Sequence, residues 1–221
     1  MRLLYINPNS TAEMTDSIVE AARAAVPEAE VIGWTNTDGP PAIQGAADGD
    51  AAVPGLLALL PKARTADVDA IVIACFDDTG LDGARAMAHC PVLGIGQAGF
   101  HMAVLMGGRF GVVTTLPISV PVIEGNIASY GFADACTGVR PSGLPVLAVE
   151  EGGDDVLATL DREITAAAAD GARSVVLGCA GMARHRSALS RPGGPLLIDG
   201  VAASALLAVA AHGYVGARSA A

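Results

Sequence analysis

Short, uninterrupted apolar runs alternate along the chain with longer alanine-rich stretches in which apolar and polar residues share each turn. The short runs predict strands at residues 2–6, 30–34, 70–74, 92–95, 110–114, 145–149, 174–177 and 195–198. The longer stretches predict helices at residues 12–25, 51–64, 81–88, 100–106, 118–130, 154–170 and 201–211. Because continuous apolar strands require cover on both faces, this order predicts an α/β fold with mostly parallel sheets flanked by helices.

The two halves of the chain repeat the same order of features. A strand runs into a polar, proline-containing turn both in LLYINPNST, residues 3–11, and in FGVVTTLPIS, residues 110–119. The interval from Asn7 to Cys75 is nearly the same as the interval from Thr114 to Cys179. We therefore predict two pseudo-symmetric lobes, residues 1–96 and 97–198, with a C-terminal helix of about residues 199–221 that packs back on the first lobe.

Composition and charge exclude several classes of function. The 221 residues carry a formal net charge of −10 and contain no basic block, which argues against nucleic acids and anionic membranes as partners. The apolar run of MRLLYINPNS ends at Asn-Pro-Asn, too early for a signal peptide or a membrane span. We expect a cytoplasmic protein whose four cysteines are free thiols, since a chain of this length can form a core without disulfides.

Two of the four cysteines occupy matching places at the ends of predicted buried strands. Cys75 ends the run IVIAC, and Cys179 follows VVLG. Because ligands bind beyond the carboxyl ends of parallel strands, we expect the two thiols to face each other across the cleft between the lobes. Backbone N–H groups at helix starts favour a thiolate near neutral pH. Opposed thiols can take a proton from one face of a carbon and return one to the other, which inverts a stereocentre without a metal or organic cofactor.

Other residues near the strand ends have simpler interpretations beside a functional one. Polar side chains that suit helix capping as well as ligand contact are Asn9, Ser10, Asp77 and Asp78. His101 lies on an apolar stretch, which predicts a hydrogen-bonded core or interface histidine. His185 follows Cys179 by six residues, but no third group orients it for a cysteine–histidine hydrolase. Cys90 and Cys136 lie away from any predicted strand end and are expected to be structural.

Six motifs occur in one order along the chain: INPNST, ACFDDTGLDGAR, GIGQAGFH, GVVTT, VVLGCAGM and LLIDGVAA, from residue 3 to about residue 210. Together they resemble the hydantoin racemase and allantoin racemase branch of the aspartate/glutamate racemase superfamily. The resemblance implies an active site in the cleft between two α/β lobes and cofactor-independent racemisation by Cys75 and Cys179. It also implies substrate contacts at Asn9, Ser10, Phe76, Asp77, Thr114, Thr115, Gly178 and Gly181. Gln97 departs from the glutamate that related sequences often carry.

The resemblance implies a racemase that removes and returns the C5 proton of 5-substituted hydantoins. The segments NPNST, CFDD, VVTT and LGCAGM contain no Lys or Arg, which suits a neutral, imide-like ring as the small-molecule partner. The alternatives among enzymes are an allantoin racemase, an aspartate or glutamate racemase, and a maleate isomerase, which also uses two cysteines. Outside enzymes, the alternative is a small-molecule binding protein, which would need no thiolates. We expect a homo-oligomer, with the apolar residues 201–209 able to form an interface.

Overall fold

Two four-stranded parallel sheets form the framework of the protein. The structure is a computed structural model and describes residues 1–219. The first sheet has the strand order β2-β1-β3-β4 and contains β1 Arg2–Asn7, β2 Glu30–Thr35, β3 Ala70–Ile73 and β4 Val92–Gly94. The second has the order β6-β5-β7-β8 and contains β5 Phe110–Thr114, β6 Cys136–Pro141, β7 Ser174–Gly178 and β8 Leu196–Asp199. The matching strand orders confirm the predicted α/β fold of two similar lobes.

Helices cover both faces of the sheets. In chain order they are α1 Ala12–Ala25, α2 Ala46–Thr65, α3 Leu81–Met87, α4 Ile95–Leu105, α5 Val120–Ser129, α6 Val146–Glu151, α7 Asp154–Ala169, α8 Arg186–Leu189 and α9 Gly200–Ser219. Alternate residues of β1 face opposite sides of its sheet, as the period of a strand requires. Leu3 and Tyr5 therefore belong to the core that includes α1 and α9, whereas Leu4 and Ile6 belong to the core that includes α2.

The two lobes share one continuous apolar core. Phe76 of the first lobe packs edge-to-face on Phe100, with ring centroids 5.5 Å apart, and Phe100 stacks on Phe110 of the second sheet at 5.7 Å. The last helix joins the same core, because the buried hydroxyl of Tyr5 donates to the carbonyl oxygen of Val201 at 2.9 Å. Burial of this much aromatic and aliphatic surface holds the two lobes in a fixed relation.

One predicted strand is wrong and one observed strand was missed. Residues 145–149 form most of α6 rather than a strand, because a short apolar run has the same appearance in either element. The second sheet instead contains β6, which lies at the edge of the sheet and pairs with β5. As an edge strand it is partly exposed, so its sequence CTGVRP has no continuous apolar run. The helix predicted to begin at residue 100 begins at Ile95, directly after β4.

The last helix, α9, packs against α1, α4 and β3. The exact domain limits, residues 1–96 and 97–198, stay a prediction, and residues 220 and 221 of the predicted C-terminal helix lie outside the described residues. In the described part of the chain, no helix is both long and apolar enough to span a membrane. The carboxyl ends of the central strands β1, β3, β5 and β7 carry the residues considered next.

Candidate active site

Cys75 lies in a turn that is fixed by contacts to both lobes. The turn begins after β3 and is closed by the N–H of Asp78, which donates to the carbonyl oxygen of Cys75 at 3.0 Å. Asp78 adopts a positive φ of 50°, a conformation that aspartate tolerates better than most residues. Its carboxylate accepts hydrogen bonds from the N–H of Gly96 at 2.9 Å, the N–H of Gln97 at 2.7 Å and the hydroxyl of Tyr130 at 3.0 Å. Asp78 thus caps α4 and anchors the Cys75 turn at the same time.

Cys179 follows β7 at the equivalent place of the second sheet. A side chain at Gly178 would approach the carbonyl oxygen of Val113 to 2.7 Å, so only glycine allows β7 to pair this closely with β5. The hydroxyl of Thr114 donates to the carbonyl oxygen of Gly178 at 3.0 Å and fixes the end of the strand. Directly after Cys179 the chain forms a 3₁₀ turn, Ala180–His185, whose first N–H groups point back towards the sulfur.

The two thiols line one cavity between the lobes. Its walls are Asn9, Met14, Ile43, Ala74, Cys75, Phe76, Asp77, Thr114, Thr115, Ser119, Val146, Gly178, Cys179 and Ala180. Within the described residues, this lining contains neither lysine nor arginine. Polar groups form part of the cavity wall, and apolar side chains form the rest.

The cavity brings together most, but not all, of the residues that the sequence suggested. Those that line it are Asn9, Cys75, Phe76, Asp77, Thr114, Thr115, Gly178 and Cys179. Ser10 does not, and its backbone N–H instead donates to the carbonyl oxygen of Pro40 at 2.9 Å. Gly181 lies behind Cys179, where a side chain would approach the carboxylate of Glu150 to 2.7 Å. The roles assigned to these residues stay predictions.

Sequence reasoning missed six residues that line the cavity, namely Met14, Ile43, Ala74, Ser119, Val146 and Ala180. Met14 lies on the buried face of α1, and its spacing marks it only as a core residue. Val146 begins the helix that was predicted as a strand. Ile43 lies in a segment of irregular structure between β2 and α2. Met14, Ile43 and Val146 lie in no motif, so only the folded chain reveals that they line the cavity. Ala74, Ser119 and Ala180 lie in segments that the sequence analysis quotes, but no role was predicted for them.

Burial raises the pKa of both thiols. The pKa of the Cys179 thiol rises to about 12 because burial outweighs the hydrogen bonds donated by the N–H groups of Gly181 and Met182, which lower it. Burial likewise raises the pKa of the Cys75 thiol, and the neighbouring charge of Asp77 raises it further. The desolvation of this site therefore opposes the thiolate that the sequence analysis expects near neutral pH, whereas the N–H donors favour it.

The two thiols also interact electrostatically. A negative charge on Cys179 raises the pKa of Cys75, which shows that the sulfurs are near enough for their charges to interact. Ionisation of one thiol consequently disfavours ionisation of the other. The arrangement thus favours one thiolate opposite one thiol over a pair of thiolates.

Asp77 is the acidic group of the cavity. Burial raises the pKa of its carboxyl from about 3.8 to about 7. Its backbone oxygen accepts a hydrogen bond from the side-chain amide of Asn126 at 2.8 Å, but in the described part of the chain no hydrogen bond reaches its carboxylate. A half-buried carboxylate without a protein donor is less stable than a hydrogen-bonded one, and a ligand N–H group would stabilise it.

The histidines and the other cysteines lie apart from this chemistry. One ring nitrogen of His185 lies 2.8 Å from the carbonyl oxygen of Val149, and His185 does not line the cavity. His101 is exposed on α4 rather than buried in the core, and it hydrogen-bonds the carbonyl oxygen of Gln97 at 2.8 Å. All four cysteines are free thiols. Among the residues that the structure describes, no group of three or more His, Cys, Asp or Glu side chains is placed to hold a metal ion.

Comparison with known proteins gives matches along nearly the whole chain. A sequence model described as Asp/Glu/hydantoin racemase matches residues 3–208. The hydantoin racemase of Rhizobium meliloti is 45% identical over 215 residues, which cover 96% of this chain and 89% of that protein. The hydantoin racemase of Pseudomonas sp. (strain NS671) is 34% identical over 205 residues, covering 92% and 82%. The solved structure of allantoin racemase from Klebsiella pneumoniae matches with a TM-score of 0.90 at 37% identity, covering 95% of this chain and 86% of that one.

Proposed function

The chain belongs to the Asp/Glu/hydantoin racemase family, and on that basis we propose that it racemises 5-substituted hydantoins by proton transfer between C5 and the thiols of Cys75 and Cys179. The observation that carries the proposal is the pair of thiols at equivalent strand ends of two similar sheets, both lining one cavity. No single cysteine could deliver a proton to both faces of a planar intermediate held between the lobes.

The proposed reaction needs one thiolate and one thiol. The thiolate takes the C5 proton, and the electron pair of the C–H bond is delocalised onto the adjacent ring carbonyl as an enolate. The opposite thiol then gives its proton to the other face of C5, and the electron pair returns to form the new C–H bond. The reaction leaves the inverted hydantoin and a pair of sulfurs whose protonation states are exchanged. The electrostatic coupling between the two thiols supports this division into one acid and one base.

Polar groups of the cavity suit a neutral ring. The side-chain amide of Asn9 and the hydroxyls of Thr115 and Ser119 can donate hydrogen bonds to an enolate oxygen. Asp77 can accept a hydrogen bond from a ring N–H group. A cavity without lysine or arginine offers no cation to a free α-carboxylate, which favours a hydantoin over aspartate or glutamate as the substrate.

Single substitutions of the cysteines test the mechanism. Cys75→Ser and Cys179→Ser should each abolish racemisation in both directions, because a serine hydroxyl is a poor partner as acid or base. In D₂O each variant should keep exchange of the C5 proton for only one enantiomer, and the preferred enantiomer should differ between the two variants. Polarimetry measures racemisation, and proton NMR measures exchange.

Cys90→Ser and Cys136→Ser are the matched controls, because both of these thiols are half-buried and neither lines the cavity. They should keep normal turnover. Near-normal racemisation by either active-site variant, or the same exchange preference in both, would refute the two-thiol assignment. Iodoacetamide separates the proposal from a binding protein, since alkylation should stop a racemase but leave a simple binding protein functional.

Two expectations accompany the proposed function. A neutral hydantoin-like molecule is its partner in a cytoplasmic reaction, and the protein assembles as a homo-oligomer. Leu206 and Val209 of α9 are exposed apolar side chains in the segment expected to form an interface. Light scattering on the purified protein measures the number of subunits directly.

A further inference from the structure

Two side chains of α5, in the second lobe, reach across to the turn that carries Cys75 in the first lobe. The side-chain amide of Asn126 donates to the carbonyl oxygen of Asp77 at 2.8 Å. The hydroxyl of Tyr130 donates to the carboxylate of Asp78 at 3.0 Å. We refer to these two hydrogen bonds as the α5 clasp. Because the two acceptors directly follow Phe76 in the Cys75 turn, the clasp holds that turn from the opposite lobe.

The two donors of the α5 clasp are themselves fixed by the core. Asn126 and Tyr130 are four residues apart, so their side chains are neighbours on the surface of the helix. The adjacent strip of α5, formed by Ile123 and Ile127, is buried in the core. The ring of Tyr130 packs against Phe100 with ring centroids 6.4 Å apart. The clasp is therefore a rigid connection rather than a contact between mobile side chains.

The helix itself does not account for Asn126. Asparagine has a lower helix propensity than leucine or alanine, and Asn126 lies inside α5, away from the caps at Ser119 and Tyr130. Among the residues that the structure describes, its side-chain amide donates only to the carbonyl oxygen of Asp77. Asn126 is thus explained by the turn that it holds and not by the helix in which it lies.

The clasp bears on the distance between the two thiols. In the proposed reaction both sulfurs must reach one carbon from opposite sides, and a misplacement of about 1 Å can lower the rate by about 100-fold. Cys75 belongs to the first lobe, whereas Cys179 and α5 belong to the second. The α5 clasp therefore bonds the turn of one thiol to the lobe that carries the other.

We propose that Asn126 and Tyr130 are positioning residues that hold the Cys75 thiol against C5 of the bound hydantoin. The inference rests on the proposed function, because it presupposes that the ring lies between the two thiols. Cys179 does not depend on the clasp, since its turn is closed by the N–H of Met182, which donates to the carbonyl oxygen of Cys179 at 3.1 Å. Loss of the clasp should therefore impair one thiol and leave the other in place.

Racemisation rates alone cannot show which thiol is impaired. The two enantiomers have equal free energy, so kcat/KM must fall equally in both directions. Exchange of the C5 proton in D₂O does separate the thiols. The thiolate that takes the proton from one enantiomer can exchange it with solvent and return a deuteron to the same face of C5. The exchange rate of each enantiomer thus reports on its own thiol.

The test uses the separate enantiomers of 5-benzylhydantoin with Asn126→Leu and Tyr130→Phe. The first variant keeps a branched side chain without the amide donor, and the second keeps the ring without the hydroxyl. Each should lower kcat/KM for racemisation by about 10-fold or more. Each should also change the ratio of the two exchange rates by about 10-fold, in favour of the enantiomer that Cys75→Ser still exchanges. Polarimetry and proton NMR measure the two effects after subtraction of the uncatalysed rates.

Ser129→Ala is the matched control on α5. Ser129 is exposed, and its hydroxyl donates at 2.9 Å to the carbonyl oxygen of Asn126 within the same helix, so it makes no bond to the Cys75 turn. This variant should keep the wild-type racemisation rate and the wild-type exchange ratio. Asn126→Leu and Ser129→Ala therefore separate the clasp from the general stability of the helix.

Three results would overturn the inference while the proposed function stands. They are wild-type racemisation by both clasp variants, exchange rates that fall equally for the two enantiomers, and a ratio that shifts towards the enantiomer that Cys179→Ser still exchanges. Should the wild-type protein racemise no hydantoin, the proposed function is overturned as well. Tyr130→Phe keeps the ring that packs on Phe100, so it decides the question even if Asn126→Leu does not fold.

Discussion

Asp77→Asn should stabilise the fold at alkaline pH and have little effect at acidic pH. The side chain of Asp77 is half-buried, has no hydrogen-bond donor among the described residues, and has the pKa of its carboxyl raised by burial from about 3.8 to about 7. Below pH 3.8 it is protonated in both the folded and the unfolded chain, so it contributes nothing to the difference between them. Between pH 3.8 and pH 7 only the unfolded chain ionises it, so the free energy of unfolding falls as the pH rises.

The size of this effect follows from the two pKa values. Each pKa unit corresponds to about 1.36 kcal/mol, so the full destabilisation above pH 7 is at most about 4 kcal/mol. Between pH 5 and pH 8 it grows by about 2 to 3 kcal/mol. Relaxation of the protein and entry of water reduce such values, and we expect a gain of at least about 1 kcal/mol for Asp77→Asn at pH 8.

Urea unfolding at pH 5, 6, 7 and 8 measures this prediction, with the fluorescence of Trp34, the single tryptophan of the chain, as the signal. The protein concentration is held fixed so that any assembly contributes equally. Asp82→Asn is the control, because the side chain of Asp82 is fully exposed on α3, and its removal should change stability by less than about 0.5 kcal/mol at every pH. A stability difference for Asp77→Asn that does not vary with pH, or a loss of stability at pH 8, would refute the reasoning.

Three further predictions concern the thiols and the turn that carries Cys75. Because burial raises the pKa of both thiols, kcat/KM for racemisation should rise steadily from pH 6 to pH 9, and a maximum below pH 7 in a polarimetric assay would contradict this. Racemisation should survive exhaustive dialysis against EDTA, and activity that disappears and then returns with added zinc would disprove the metal-free mechanism. Tyr130→Phe should lower the free energy of unfolding by about 1 to 2 kcal/mol and reduce kcat/KM, because the carboxylate of Asp78 loses one of its three hydrogen-bond donors. Urea unfolding and polarimetry measure the two effects. Wild-type values in both assays would show that the hydrogen bond between Tyr130 and Asp78 is unimportant.

The backbone position of the two cysteines could be predicted because it depends on local pattern. A buried parallel strand appears in the sequence as a short apolar run. The residues that follow such a strand lie at the ligand-binding edge of the sheet. Cys75 and Cys179 satisfy that rule through β3 and β7, and the repeated order of features indicated the two lobes. The order of the predicted strands was therefore sufficient to predict where these two cysteines lie in the fold.

The composition of the cavity wall and its electrostatics could not be predicted in the same way. Val146 contacts the segment of Ile43 across about a hundred residues of sequence, and nothing local indicates that contact. The rise in the pKa of the thiols could not be predicted because the N–H donors are local in sequence, whereas burial depends on everything that surrounds the sulfurs. The edge strand β6 was missed because its exposure removes the apolar pattern on which strand prediction depends.

The bonds between Tyr5 and the last helix bear on how the chain folds during its synthesis. The hydroxyl of Tyr5, in β1, is buried against Val201 and Ser204 of α9, which lie 196 and 199 residues later in the chain. Until that helix leaves the ribosome, the first lobe exposes the apolar face that α9 covers and has no partner for this buried hydroxyl. The native form of the first lobe is therefore completed only after α9 has been synthesised, and a nascent chain that has already collapsed depends on that helix to become stable.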